Sequence, residues 1–229
     1  MKEGVETMNL NRSEIRSAII GMVIGDGCLS KRYENGNAYY QMTHKEGSYE
    51  YMLWKQKILN KITSSTIHPT KRILNGKTFK GYHLGTKRHP IFTKLYNRFY
   101  YKKVKVLDEY LVKSITPLAF AIMYMDDGTY GNANKKSDSF FLCTQNFDYA
   151  NQLLLKKSLK IKFNLDWNLN KANVRKDGTY NYRLRLANRC NEDFLNIISM
   201  YVDLVPCMKY KLGSHANISL KDIDIVRPT

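Results

Sequence analysis

Two aspartates carry the chemistry that this sequence offers most plainly. Asp26 closes the run Ile19-Ile20-Gly21-Met22-Val23-Ile24-Gly25-Asp26-Gly27, and Asp127 closes Phe120-Ala121-Ile122-Met123-Tyr124-Met125-Asp126-Asp127-Gly128, 101 residues later. An apolar helix that stops on glycine should have a cation at its last turn, because its dipole is negative there. Both runs place a carboxylate there instead. Two carboxylates brought together repel, and one takes up a proton unless a divalent cation lies between them. Hard oxygen donors select Mg²⁺, which keeps much of its water and binds phosphate as well.

The composition supplies a matching partner. Lys and Arg number 37 against 20 acids, a net charge of +17, and nucleic acid is the usual polyanion that takes up so large an excess. The four cysteines, Cys28, Cys143, Cys190 and Cys207, are too far apart for a zinc ribbon or a disulfide framework, which fits reduced thiols in an intracellular protein. No apolar run approaches the roughly 20 residues of a membrane span. Three acids in the first fourteen residues, Glu3, Glu6 and Glu14, argue against a signal or transit peptide. The expected compartment is a bacterial or phage-infected cytoplasm, or an organelle matrix if the gene is organellar.

The elements that must position the acids repeat. Asn11 and Glu14 form a capping box for a helix over 11–25, whose apolar stripe is Ile15, Ala18, Ile19, Met22 and Val23. Gly21 and Gly25, one turn apart, cost such a helix about 1 kcal/mol each and mark a close approach of another backbone. With Ala18 and Ile122 they form the expected helix–helix interface. Strands over 29–32 and 39–45, a helix from 47, strands over 67–74 and 78–86, and a helix over 89–101 follow. A short helix through Tyr110 and Leu111 comes next. Thr116-Pro117 then caps the second apolar helix. After it come a strand over 140–145, a helix over 148–163, strands over 166–171 and 180–187, a helix over 191–201 and a basic segment over 206–212. The expected fold is α+β: two pseudo-symmetric αββαββα halves, 1–112 and 113–229, meeting through their first helices. Each half has an antiparallel sheet.

The outward faces of those strands are basic or rich in amides. Lys31 and Arg32 flank the first strand, while Tyr39, Gln41 and Thr43 share one face of the second. Lys71, Arg72, Lys77, Lys80 and Lys87 mark the next pair. In the second half Gln145, Asn168, Asn170, Lys171, Arg175, Arg183 and Arg185 correspond. Arginine reads guanine in a major groove, and asparagine or glutamine reads adenine. Metal-bound carboxylates between two such faces would hydrolyse a phosphodiester.

These residues resemble the LAGLIDADG homing endonucleases, in the branch with both motifs on one chain. The likeness to the omega-intron type extends to Thr116-Pro117, Thr144-Gln145 and Met208-Lys209-Tyr210-Lys211-Leu212, and covers nearly the whole chain. The resemblance implies a monomeric saddle with its sheets in the major groove of double-stranded DNA. It also implies Mg²⁺ held by Asp26 and Asp127, with Mn²⁺ able to substitute. A late basic residue in each half would support catalysis: Lys211 in the second, and Lys103, or else Lys105, in the first. It implies cleavage at a long target site in the service of intron mobility. A non-catalytic maturase binding its own intron RNA is the alternative. Gly21 and Gly25 align with Ile122 and Asp126, so the register favours Asp127 as the ligand and Asp126 as a supporting acid.

Overall fold

The computed structural model describes residues 8–131, 138–174 and 178–217. The first half is built in the order α1 (Arg12–Ile24), β1 (Cys28–Ser30), β2 (Tyr39–Lys45), α2 (Tyr49–Leu59), β3 (Ser65–Leu74), β4 (Lys77–Thr86) and α3 (Pro90–Phe99). A two-residue hairpin, β5 (Tyr100–Tyr101) and β6 (Val104–Lys105), and α4 (Glu109–Lys113) follow. The second half repeats the plan with α5 (Pro117–Asp127), β7 (Gly128–Gly131), β8 (Ser139–Leu142), α6 (Tyr149–Phe163), β9 (Trp167–Val174), β10 (Tyr180–Leu186) and α7 (Asn191–Asp203). It ends in 3₁₀ turns over Pro206–Asn217.

Both sheets are antiparallel and share one topology, β1-β2-β4-β3 and β7-β8-β10-β9. The expected capping box is present, with Asn11 accepting from the N–H groups of Ser13 and Glu14 while Glu14 accepts from that of Asn11. Asn75 and Gly76 both have positive φ, the backbone of a tight hairpin turn whose twist suits the flanking strands. The sequence pattern missed β7 and the β5–β6 hairpin, which are short and carry no alternating pattern. The strand expected over 140–145 ends at Leu142, so Gln145 sits in the turn beyond it.

One apolar core runs through both halves. At its centre α1 packs on α5, and the glycines are what allow the approach. A Cβ at Gly21 would strike the backbone of Ala119, and one at Gly25 would strike the side chain of Asp126. Gly21 therefore meets another backbone, as expected, whereas Gly25 meets a side chain. Ala18 and Ile122 are fully buried. At the other end of the pair the Ser17 hydroxyl donates to Ser114 O at 2.6 Å and accepts from the Thr116 N–H at 3.0 Å, which fixes the helix starts together. The boundary expected at 112 falls inside α4. That helix docks on the second half, where Ser158 Oγ donates to Val112 O and Lys162 Nζ to Lys113 O.

Candidate catalytic centre and nucleic-acid face

Because α1 and α5 cross closely, Asp26 and Asp127 leave their helices at the same end of the bundle. The cation that each helix terminus lacks locally arrives from far along the chain. Lys105, on β6, donates through Nζ to Val23 O at 2.7 Å and Gly27 O at 3.1 Å. Lys211, in the last 3₁₀ turns, donates to Asp126 O at 3.1 Å and Gly128 O at 2.6 Å. The two lysines are structural equivalents, each holding the unpaired carbonyls of one helix end. Lys103, the residue the sequence favoured, instead occupies the exposed β5–β6 turn with a positive φ. The correction has a simple cause. Lys105 lies 78 residues beyond Gly27, whereas Lys211 lies 83 beyond Gly128, and the hairpin on one side is matched by 3₁₀ turns on the other.

The acids differ sharply in surroundings. Burial, then the charges of Asp26 and Asp126, pushes the Asp127 carboxyl up to about 7. Asp26 is raised too, by burial first and by Asp126 next. Burial lowers both Lys105 and Lys211 below their ordinary values, with the neighbouring acids pulling the other way. Asp126 is fully enclosed. Burial alone would raise its carboxyl, yet Lys55 and His44 outweigh burial and hold it below the usual range. Its Oδ1 accepts from Lys55 Nζ at 2.5 Å and Tyr51 OH at 2.9 Å, and its Oδ2 accepts the Asp26 N–H at 3.3 Å.

Asp26, His44 and Asp126 offer donor atoms within 4.8 Å of one another. A buried carboxylate already paired to an ammonium is a poor metal ligand, because the ion would have to displace Lys55 into an apolar core. Asp127, half-buried and without a cation on its carboxylate among the hydrogen bonds described, is the better partner for Asp26. The structure brings together Asp26, Asp127 and Lys211, which the sequence singled out, with His44, Tyr51 and Lys55, which it did not. A signal existed: Lys55 stands one helical turn from Tyr51 on a buried stripe, and a lysine there needs a buried acid.

The sheet registers divide the expected nucleic-acid residues. Gln41, Thr43, Arg72 and Lys77 share the face of β1–β4 turned away from the core, with Gln41 bonded to Ser30 and Thr43 to His83. Tyr39 pairs with Ser30 on that face. Lys71 and Lys80 pair with each other on the opposite face, the one that carries Leu84, so the alternation removes them from the expected surface. Lys31 and Arg32 lie in the loop after β1, over the rings of Tyr96 and Tyr33, and Lys87 is exposed just past β4. In the second sheet Asn168 faces Arg185 and Asn170 faces Arg183, while Trp167, Leu184 and Leu186 are buried behind them. Lys171 lies over Tyr180. Arg183 lies 4.0 Å from the Phe141 ring centre, and Arg185 donates to Ser139. Arg175 lies outside the described residues.

Residues 16–194 match the family model described as the LAGLIDADG DNA endonuclease family. The chain belongs to that family. It is 28% identical over 216 residues to DNA endonuclease I-ChuI of Chlamydomonas applanata, covering 90% of this chain and 97% of that one. It is 27% identical over 219 residues to cytochrome b mRNA maturase bI2 of Debaryomyces hansenii, covering 92% and 79%. The homing endonuclease I-WcaI bound to its DNA recognition sequence superposes with a TM-score of 0.75 at 26% identity, covering 90% of this chain and 89% of that one. The two-half architecture expected of a single-chain LAGLIDADG protein is the one observed. Among the described residues no helix is long and apolar enough to cross a membrane.

Proposed function

We propose that this LAGLIDADG chain is a site-specific endonuclease that hydrolyses both strands of a long double-stranded DNA target, in the service of intron mobility. The observation that carries the reading is the convergence of two acid-ended helices, each with a lysine on its terminal carbonyls, between two sheets of one topology with polar outer faces. A molecule in this arrangement acts as a monomer, its two halves meeting the two halves of a site.

The donor set fits a divalent cation, with Mg²⁺ the first choice and Mn²⁺ its substitute. Asp26 and Asp127 are hard oxygen donors, and both carboxyls are raised by burial and neighbouring negative charge, a repulsion that a cation between them relieves. When bound, such an ion neutralises charge developing on the phosphate and makes its bound water more acidic. The chain's own residues do the rest. Lys105 and Lys211 tie down the carbonyls at both helix ends and set positive charge beside the acids, which favours the approach of phosphate. Arg72, Lys77, Arg183 and Arg185 hold the duplex by phosphate and base contacts, and Gln41, Asn168 and Asn170 contribute amides to the grooves.

The test is incubation of a plasmid carrying the joined flanking sequence of the gene with protein and Mg²⁺. Cleavage is expected, with loss on Asp26→Asn or Asp127→Asn. Asp127→Asn protein should still bind the site. No cleavage of any candidate, or cleavage indifferent to both substitutions, overturns the reading. A second reading, an intron RNA maturase, is favoured by the likeness to the bI2 maturase. It predicts that splicing of the parent intron in vitro speeds up with this protein, and that Asp127→Asn leaves that effect intact.

A further inference from the structure

The two halves are alike in topology but not in what surrounds their acids. Sheet register aligns them: Cys28 pairs with Gln41 as Thr129 pairs with Phe141, so Gln41 corresponds to Phe141 and His44 to Thr144. α2 starts at Tyr49 and α6 at Tyr149, which sets Lys55 against Leu155 and Tyr51 against Asn151. On the Asp127 side, then, the corresponding positions hold Gly25 in place of Asp126 and a fully buried Leu155 in place of Lys55.

The Asp26 side instead carries a cross-half ion pair in a fully buried pocket, Lys55 from the first half and Asp126 from the second. Gly25 is what makes room for the Asp126 side chain. Once there, Asp126 Oδ2 accepts the backbone N–H of Asp26 and fixes the peptide from which that carboxylate projects. His44 Nε2 stands 3.8 Å from Asp26 Oδ2 and 3.6 Å from Asp126 Oδ1, buried and with no hydrogen-bond partner within the described residues. Among the described residues nothing comparable holds the Asp127 N–H or carboxylate.

We propose that Asp126, paired with Lys55 in the core and bonded to the Asp26 N–H, is a positioning residue for Asp26 alone, and that it makes the cuts in the two DNA strands kinetically inequivalent. The inference rests on the endonuclease reading. An ion pair with both members buried is a weak source of stability. Its placement on one side only, bonded to one catalytic acid, suits a role in orientation. Misplacing a catalytic group by about 1 Å costs on the order of a hundredfold in rate, so losing this anchor should be felt by the Asp26-dependent step and much less by the other.

The experiment is strand-resolved nicking of a supercoiled plasmid bearing the cognate site, each strand labelled at its own end, with binding measured separately in Ca²⁺. Wild-type protein that does not cut refutes the endonuclease reading itself. If the wild type cuts, the double variant Lys55→Met/Asp126→Ala removes the anchor without stranding a charge. Expected is unchanged DNA affinity with the ratio of the two nicking rates shifted roughly tenfold or more. Tyr51→Phe, which removes one hydrogen bond to Asp126 and keeps the ring, should shift the ratio in the same direction by less. It serves as the deciding variant if the double variant does not fold. An unchanged ratio, whether both rates hold or fall together, overturns the proposal.

Discussion

Replacing Lys55 with methionine isolates the energetics of the cross-half pair. Both side chains are fully buried and the ions are 2.5 Å apart. At an effective dielectric of 20 their attraction is about 6–7 kcal/mol. Removing each ion from water costs several kcal/mol, so the intact pair sits close to neutral against an apolar replacement of the same shape. Lys55→Met keeps the volume and deletes the attraction, but leaves Asp126 buried with only Tyr51, His44 and one backbone N–H. The expected loss is about 3–5 kcal/mol. Lys55→Met/Asp126→Asn removes both charges and should recover most of it. Urea unfolding of the wild type, Lys55→Met, Asp126→Asn and the double variant at pH 7.5 with a chelator present provides the cycle. The pH dependence has a definite sign. In the wild type the Asp126 carboxyl is depressed, so the stability it contributes is present above its ordinary value and lost as pH falls through the depressed one. In Lys55→Met the same carboxyl is raised, so the deficit should shrink as pH falls toward 4.5. A Lys55→Met loss below about 1 kcal/mol, or additive single effects, would refute the reasoning.

Three further outcomes follow from the geometry. Asp127, raised to about 7, binds its proton more tightly folded than unfolded, so metal-free stability should decline as pH rises from about 4 to 7 and then level off. Asp127→Asn should therefore raise the melting temperature in chelator at pH 8 and not at pH 4, and a gain independent of pH would contradict this. Gly21→Ala pushes a Cβ into the Ala119 backbone and should cost about 1–3 kcal/mol by urea unfolding; a neutral result would mean that α1 and α5 are less closely packed. Arg72→Ala should lower the salt slope of DNA binding by about one phosphate's worth, while Lys71→Ala, on the other face of β3, should leave it nearly unchanged. Equal effects would show that the sheet meets DNA differently.

Much of this protein is legible from local pattern. The capping box, the apolar stripe of α1 and the outward placing of Arg183 and Arg185 each act within a few residues, and each recurs in the structure where the sequence placed it. The duplicated Asp-Gly ends also follow from the sequence, because they are a repeat and repeats need no geometry to be seen. Face assignment was harder. Lys71 and Arg72 are neighbours in sequence and opposite in space, and only the register of β3 on β4 says which one turns outward. The lysine beside Asp26 was beyond sequence reading for a related reason. Lys103 and Lys105 flank a hairpin of two-residue strands, and only the folded turn decides which ammonium reaches the carbonyls of α1. Asp126 and Lys55 mark the clearest limit. Asp126 stood out only as an extra acid on a helix end, and Lys55 did not stand out at all. Their meaning lies in a contact 71 residues apart across two halves, which exists because Gly25 leaves space for it. Composition and periodicity fix what a segment buries, but which buried charge meets which is settled only when the halves pack.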